Sequence, residues 1–250
     1  MSTLALVVPR GAYNNRQMNP QLPKAQIDIL HRLIYATRAR FSELLRLTDM
    51  ESDSFKFQLR KLQTLGFIAK ANDGLYELTP EGKAFASRLS KATGREIEQP
   101  KSSLLLLVTA KERGQTYVIG HLRTREPFNG FWGIASSPVL RGVPLLESAR
   151  RALKKQTGLE ADFAVRGMMH VIDTTPDGEV REDKLFALVH ARLDARTPLG
   201  GWSGGVSAWM TPDELLAQSK LFPTTKIVLR AIDYPIDFYE ASYAYDDDEY

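Results

Sequence analysis

The sequence predicts an α+β protein of two domains, and three observations carry that prediction. The chain has 250 residues, long for one α/β domain and comfortable for two. Its apolar residues recur mainly at helical spacing up to residue 93 and mainly at strand spacing from residue 101. Between these stretches, Gly94 to Pro100 is polar and ends in proline, which suits a linker. The charge divides at the same place. Residues 1–99 hold 15 Lys+Arg against 10 Asp+Glu, or +5, whereas residues 100–250 hold 18 against 20, or −2. A basic front half and a slightly acidic rear half point to a polyanion partner for the front half alone.

Composition removes several function classes. The chain has no cysteine, which excludes disulfides, thiol nucleophiles and cysteine-ligated zinc. The longest apolar run, Leu104 to Val108, is far below the ~20 residues of a membrane-spanning helix. Leu4 to Val8 is too short for a signal peptide and has no basic residue before it. A cytoplasmic protein with no membrane partner is expected.

Residues 1–21, with Pro, Gly and several Asn and no amphipathic period, read as a flexible arm. Pro23 opens a helix with Ile27, Leu30, Leu33 and Ile34 on one side. A short second helix runs from about Arg40 to Leu47. After a turn at 48–52, a third helix turns Phe55, Leu59, Leu62 and Leu65 to the core and stops at Gly66. Phe67–Lys70 and Leu75–Leu78 are strands around the turn Asn72-Asp73-Gly74. Thr79 caps a fourth helix that begins at Pro80 and turns Ala84, Phe85 and Leu89 inward.

This order, over residues 22–93, resembles a winged helix-turn-helix of the MarR/ArsR kind. Leu62-Gln63-Thr64-Leu65-Gly66-Phe67-Ile68 is similar to the end of a recognition helix entering the wing. Asp73-Gly74-Leu75-Tyr76-Glu77-Leu78-Thr79-Pro80-Glu81-Gly82 is similar to the wing and exit helix. The resemblance implies double-stranded DNA as partner, with the third helix in the major groove. Its polar members include Ser52, Ser54, Lys56, Arg60 and Gln63, and the side away from the core is expected to present Lys56, Arg60 and Gln63. Lys70 at the wing, and Arg38 and Arg40 before the second helix, complete the candidate contacts. The plain alternative is a solvated helix face, since winged helices also bind proteins.

From Ser103 the reading is strand (103–109), polar turn, strand (116–122), the short segment Phe131–Ile134, and a helix from about Leu145 to Thr157 ended by Gly158. Strands at about 161–172 and 184–193 follow, then helices at 211–216 and about 225–232. The segment over 101–234 resembles a Nudix domain, implying an α/β/α architecture with a mixed sheet. The family box is G-x5-E-x7-R-E-U-x-E-E-x-G-U, with U aliphatic. Arg123 and Gly130-Phe131-Trp132-Gly133 supply the approach to it; Arg151, Leu153, Gly158 and Leu159 match within it; Trp209 to Leu215 matches a late segment.

The chemistry departs from the family at every signature carboxylate. Val143, Ala152, Lys155 and Gln156 stand at the four glutamate positions, and Ser137 at the first glycine. Mg²⁺-assisted diphosphate cleavage needs hard oxygen ligands. Lysine instead brings a like charge, costing ~4 kcal/mol at 4 Å in a surface-like dielectric. No catalytic residue, metal ligand or cofactor is therefore expected. Arg123, Arg151 and Lys155 remain as a basic cleft for phosphates, with Phe131 and Trp132 as a stacking surface; a core position for Trp132 and a solvated one for Lys155 are the plainer accounts.

Four histidines (His31, His121, His170, His190) lack metal spacing, and Gly200 to Gly205 lacks the lysine and helix of a phosphate loop. Residues 235–250 read as a disordered acidic tail. The leading expectation is a DNA-binding transcriptional regulator whose degenerate Nudix-like domain senses a nucleotide-like small molecule, forms a homodimer, or both. The alternatives are a divergent hydrolase using Mg²⁺ ligands outside the box (Glu179, Glu182 or Asp183) and a protein-interaction scaffold.

Overall fold

A computed structural model describes residues 22–89 and 98–250, which divide into two compact units meeting at Glu98/Gln99. The expected arm (1–21) and most of the expected linker lie outside the described residues.

In the first unit, α1 (Lys24–Ala36) buries Ile27, Ile29, Leu30 and Leu33. It ends at Thr37, and the next two residues form an unexpected strand, β1 (Arg38–Ala39). Helix α2 (Phe41–Leu45) is shorter than expected, and α3 (Ser52–Thr64) buries Phe55, Leu59 and Leu62. Leu65, expected in the core, is 42% exposed because the helix stops at Thr64 and Gly66, at φ 74°, turns the chain away. Strands β2 (Ile68–Lys70) and β3 (Tyr76–Leu78) pair antiparallel, and β1 adds to the far side of β3. Thr79 Oγ1 accepts from Gly82 N at 2.9 Å, capping α4 (Pro80–Ala86). A Cβ at Gly82 would lie 1.8 Å from the Phe67 carbonyl oxygen, so only glycine lets α4 approach the sheet this closely.

The second unit is built on a mixed sheet whose main path runs β10-β5-β4-β9-β8-β11. Its strands are β4 (Lys101–Glu112), β5 (Gln115–Arg123), β6 (Trp132–Gly133), β7 (Ser136–Pro138), β8 (Ala164–Thr174), β9 (Val180–Leu193), β10 (Gly205–Met210) and β11 (Ile236–Ala244). Central β4 buries every residue from Leu104 to Ala110, as a strand covered on both faces must. Side chains alternate across it. Leu104, Leu106 and Val108 meet Ala149, Ala152 and Leu153 of α5 (Leu145–Thr157), while Leu105 and Leu107 join the cluster of Val228 and Leu229 from α7 (Thr225–Arg230). Helix α6 (Pro212–Leu216) lies on the α7 side through Leu215.

The C-terminal segment corrects the sequence reading. Residues 236–244 form β11, parallel to β8 from Ile236↔Gly167 to Ala244↔Thr174. Tyr239 and Tyr243 pack on the α7-side core, and Tyr245 is 5% exposed. The alternation of these tyrosines with polar residues is a strand pattern that the acidic run after it obscured.

Candidate functional site

A cavity of about 380 Å³ lies along the large sheet, lined both by Leu105, Val171, Phe186 and Val228 of the α7-side core and by Trp202, which neighbours Lys155 of α5. Four neighbouring strands build its floor. Lys101, Ser103 and Leu105 come from β4, Glu182, Lys184 and Phe186 from β9, Val171 and Asp173 from β8, and His121 and Arg123 from β5. Strand pairing sets Lys101 beside Lys184 and Asp173 beside Glu182. Phe128, Trp202, Thr225 and Tyr245 stand among the walls.

The floor is an ionic network. Both carboxylate oxygens of Glu182 accept from Lys101 Nζ at 2.7 Å, and one also accepts from the Tyr250 hydroxyl at 3.2 Å. Asp173, only 2% exposed, accepts from Lys184. Burial pushes the Asp173 carboxyl above its ordinary range, against the pull of Lys184. Burial acts on Glu182 in the same sense, but the Lys101 hydrogen bond and the Lys184 and Lys101 charges outweigh it and hold that carboxyl low. Burial, then the Arg123 and Arg125 charges, depress His121 to about 4, so this imidazole is neutral at pH 7.

Trp202 sits in the glycine-rich loop between β9 and β10. Its ring lies 6.0 Å from His121, 5.9 Å from the Arg125 guanidinium and 5.6 Å from Lys155 Nζ. Among the described residues, the Trp202 indole N–H and the Thr225 hydroxyl are buried without a hydrogen-bond partner. Both residues line the cavity, with these two polar atoms buried beneath its surface.

The expected ligand residues divide. Arg123 lines the cavity, yet its guanidinium also donates to the carbonyls of Arg125 (3.0 Å), Glu126 (3.2 Å) and Pro127 and thereby shapes the adjoining loop. Lys155 reaches the site only through Trp202. Phe131 and Trp132 are not a stacking surface. Phe131 belongs to a buried aromatic cluster, 5.8 Å from Phe128 and 5.1 Å from Phe222, and Trp132 packs against the α7-side core. Arg151, on α5, does not line the cavity and is bound to Glu147 at 2.7 Å in solvent. The missed residues are Trp202, His121, Arg125, Asp173 and Lys184. Only the period-two run Glu182-x-Lys184-x-Phe186 signalled one polar-and-aromatic strand face.

Mg²⁺ does not fit the box helix. Ala152 and Gln156 are buried against the sheet, and the Gln156 side-chain N–H donates to the Ser136 carbonyl at 3.0 Å. Among the described residues no group of three or more His, Asp or Glu is placed to hold a metal ion. Of the alternative ligands, Glu182 is in the cavity, Asp183 binds His170 at 2.8 Å on the opposite face, and Glu179 is exposed in a turn.

In the first unit, the buried residues of α3 define its outer side. At 100° per residue, the positions opposite Phe55, Leu59 and Leu62 are Asp53, Phe57, Arg60, Lys61 and Thr64, so Lys56 and Gln63 flank this face and Phe57 and Lys61 lie on it. Ser52, Ser54, Lys56, Arg60 and Gln63 are all exposed, with Lys56 bound to Asp53 at 2.9 Å. Lys70 is exposed beside the Tyr76 ring at 5.6 Å. Arg38 is held by Asp73 at 3.0 Å and Glu77 at 3.1 Å, and the Arg40 backbone N–H is held by Glu43 at 2.7 Å.

The second unit is similar to solved Nudix structures. The Nudix domain of Shewanella oneidensis NrtR, complexed with ADP ribose, overlaps 62% of this chain and 98% of its own at 12% identity and a TM-score of 0.49. A MutT protein from Bacillus halodurans overlaps 60% and 93% at 16% identity and a TM-score of 0.47. A MutT Nudix hydrolase from Burkholderia pseudomallei overlaps 54% and 99% at 20% identity and a TM-score of 0.44. No family model matches the chain, and no curated protein matches it. The functional reading therefore rests on this chain's own residues.

Among the described residues, no helix is long and apolar enough to cross a membrane.

Proposed function

We propose that this chain is a DNA-binding transcriptional regulator. Residues 22–93 act as a winged helix-turn-helix that lays α3 in the major groove, with Lys70 at the wing on the backbone. Residues 101–234 act as a Nudix-like domain that binds rather than cleaves. One observation carries the reading: the box helix has Ala152, Lys155 and Gln156 where metal ligands are needed, while a cavity lined by Lys101, Arg123, Arg125 and Lys184 persists in the same unit. A cavity with Arg123, Arg125, Lys101 and the Trp202 ring suits an anionic, ring-bearing metabolite of the nucleotide kind. A homodimer would present two copies of α3 to two half-sites.

The test is binding of the full chain to its own upstream DNA across a salt series, then repeated with nucleoside diphosphates and their sugar derivatives. Fragment-selective binding that weakens steeply with salt, and that shifts with one of these compounds in the wild type but not in Trp202→Leu, supports the reading. Equal, weak binding to every fragment removes it.

A second reading, a divergent hydrolase, is favoured by Asp173 and Glu182 standing side by side on the cavity floor. Phosphate release from a nucleoside diphosphate derivative that depends on Mg²⁺ and is lost in Glu182→Gln would establish it.

A further inference from the structure

The exposed face of α3 carries a large apolar side chain that neither packing nor solubility explains. Phe57 is 54% exposed and lies outside the hydrophobic core of its unit, on the side of α3 opposite Phe55, Leu59 and Leu62. Its neighbours on that side are Arg60 and Lys61, and Lys61 Nζ stands 5.1 Å from the ring centroid. Over Ser52–Thr64 the helix holds Lys56, Arg60 and Lys61 against Asp53 alone, a charge balance that suits a polyanion. The partner that combines regularly spaced negative charge with apolar groups between them is duplex DNA. In its major groove, thymine alone of the four bases displays a methyl group.

We propose that Phe57 is a specificity-determining residue that reads the C5-methyl group of thymine. The inference rests on the DNA-binding reading above. Arg60 and Lys61 hold the phosphates on either side, and Lys61, seated over the ring, also fixes where the ring enters the groove. Phosphate contacts set the register of a helix on DNA, and base-edge contacts such as this one select sequence.

The test uses the full chain and a selection from a random duplex library. Each thymine enriched by selection is then replaced singly by deoxyuridine, which removes only the methyl. The wild type is expected to lose about fourfold in affinity at a contacted thymine, the worth of one buried methyl-sized group. Phe57→Ala is expected to bind more weakly, to be indifferent to that replacement, and to keep the wild-type dependence on salt. Phe57→Leu, still apolar, is expected to retain part of the preference.

Deoxyuridine tolerated at every position by the wild type overturns the proposal, as does Phe57→Ala showing the same loss as the wild type. Insensitivity to deoxyuridine together with a change of solution mass in Phe57→Ala would make Phe57 a protein contact instead. Absence of salt-sensitive binding to any duplex defeats the DNA-binding reading itself, which the other outcomes leave standing.

Discussion

On the α5 face of the large sheet the charged side chains pair with one another in solvent, whereas on the α7 face they are folded under a cavity. Arg150 binds Asp162 at 3.0 Å, Arg151 binds Glu147 at 2.7 Å and Lys154 binds Glu160 at 2.9 Å, all largely exposed. Asp173, Glu182 and Lys184 are instead drawn under the cavity on the other side, Asp173 buried and its two neighbours half-buried. Two histidines differ in burial and partners. On the α5 side His170 lies between Glu240 at 2.7 Å and Asp183 at 2.8 Å, and those hydrogen bonds raise its pKa, whereas burial depresses His121. Helix α5 is held in place by Ala149, Ala152 and Leu153 in the core and by the Gln156–Ser136 hydrogen bond, with no acidic residue needed at 152, 155 or 156. Ionisable groups kept buried are costly to the fold, so they mark where function is to be sought.

Four changes break or sharpen this contrast. The largest effect is expected for Lys184→Met, which leaves Asp173 buried without its partner. Breaking such a pair costs about 3 kcal/mol, read as a lower urea midpoint at pH 8. The raised Asp173 carboxyl sets the sign: stability from this group is greatest below its ordinary pKa of 3.8 and is lost as pH rises through the folded value. The deficit of Lys184→Met is therefore smaller at pH 5 than at pH 8, and an equal deficit at both would show that Asp173 is not the charge left behind.

Tyr245→Ala comes next. The ring is 4.8 Å from Phe128 and 6.0 Å from Phe131, and its loss should lower stability by about 2 kcal/mol. A tail that is merely solvated would give no change in the same denaturation curve.

His121 gives a smaller, pH-dependent effect. With a folded pKa of about 4 against an ordinary 6.5, the unfolded chain takes up a proton first. Its contribution is complete above pH 6.5 and declines as pH falls toward 4. An NMR titration should place this imidazole near 4, and His121→Gln should show a shallower acid decline.

The smallest effect belongs to Arg151→Ala, which removes an exposed pair one helical turn apart and should change stability by less than about 0.5 kcal/mol. It should also leave ligand binding in the cavity unchanged. A large loss of binding would return the site to the α5 face.

Much of the architecture was legible before any coordinates. The spacing of Phe55, Leu59 and Leu62, the Thr79-Pro80 cap, the buried run Leu104–Val108 and the Gly158 stop each act within a few residues, so local patterning suffices to read them. The same patterning located three of the four non-acidic box positions, Ala152, Lys155 and Gln156, because they share one helix. What composition concealed was the role of 236–250, where acidic residues near the end outweighed the tyrosine alternation of β11.

The cavity was beyond such reading. Lys101, Asp173, Glu182 and Lys184 come from three strands, and Trp202 comes from a loop that looks like any other glycine-rich connection. Only the pairing register of β4, β9 and β8 puts those four charges side by side, and only the return of β11 beside β8 brings Tyr245 to the wall. The sequence by itself determined the helices and the central strands, because helix and strand periods and caps are local properties of the chain, whereas β1 and β11 depend on the partners they pair with. Tertiary structure alone decided which residues meet at the site, because burial and charge proximity depend on which distant residues the strand register sets together.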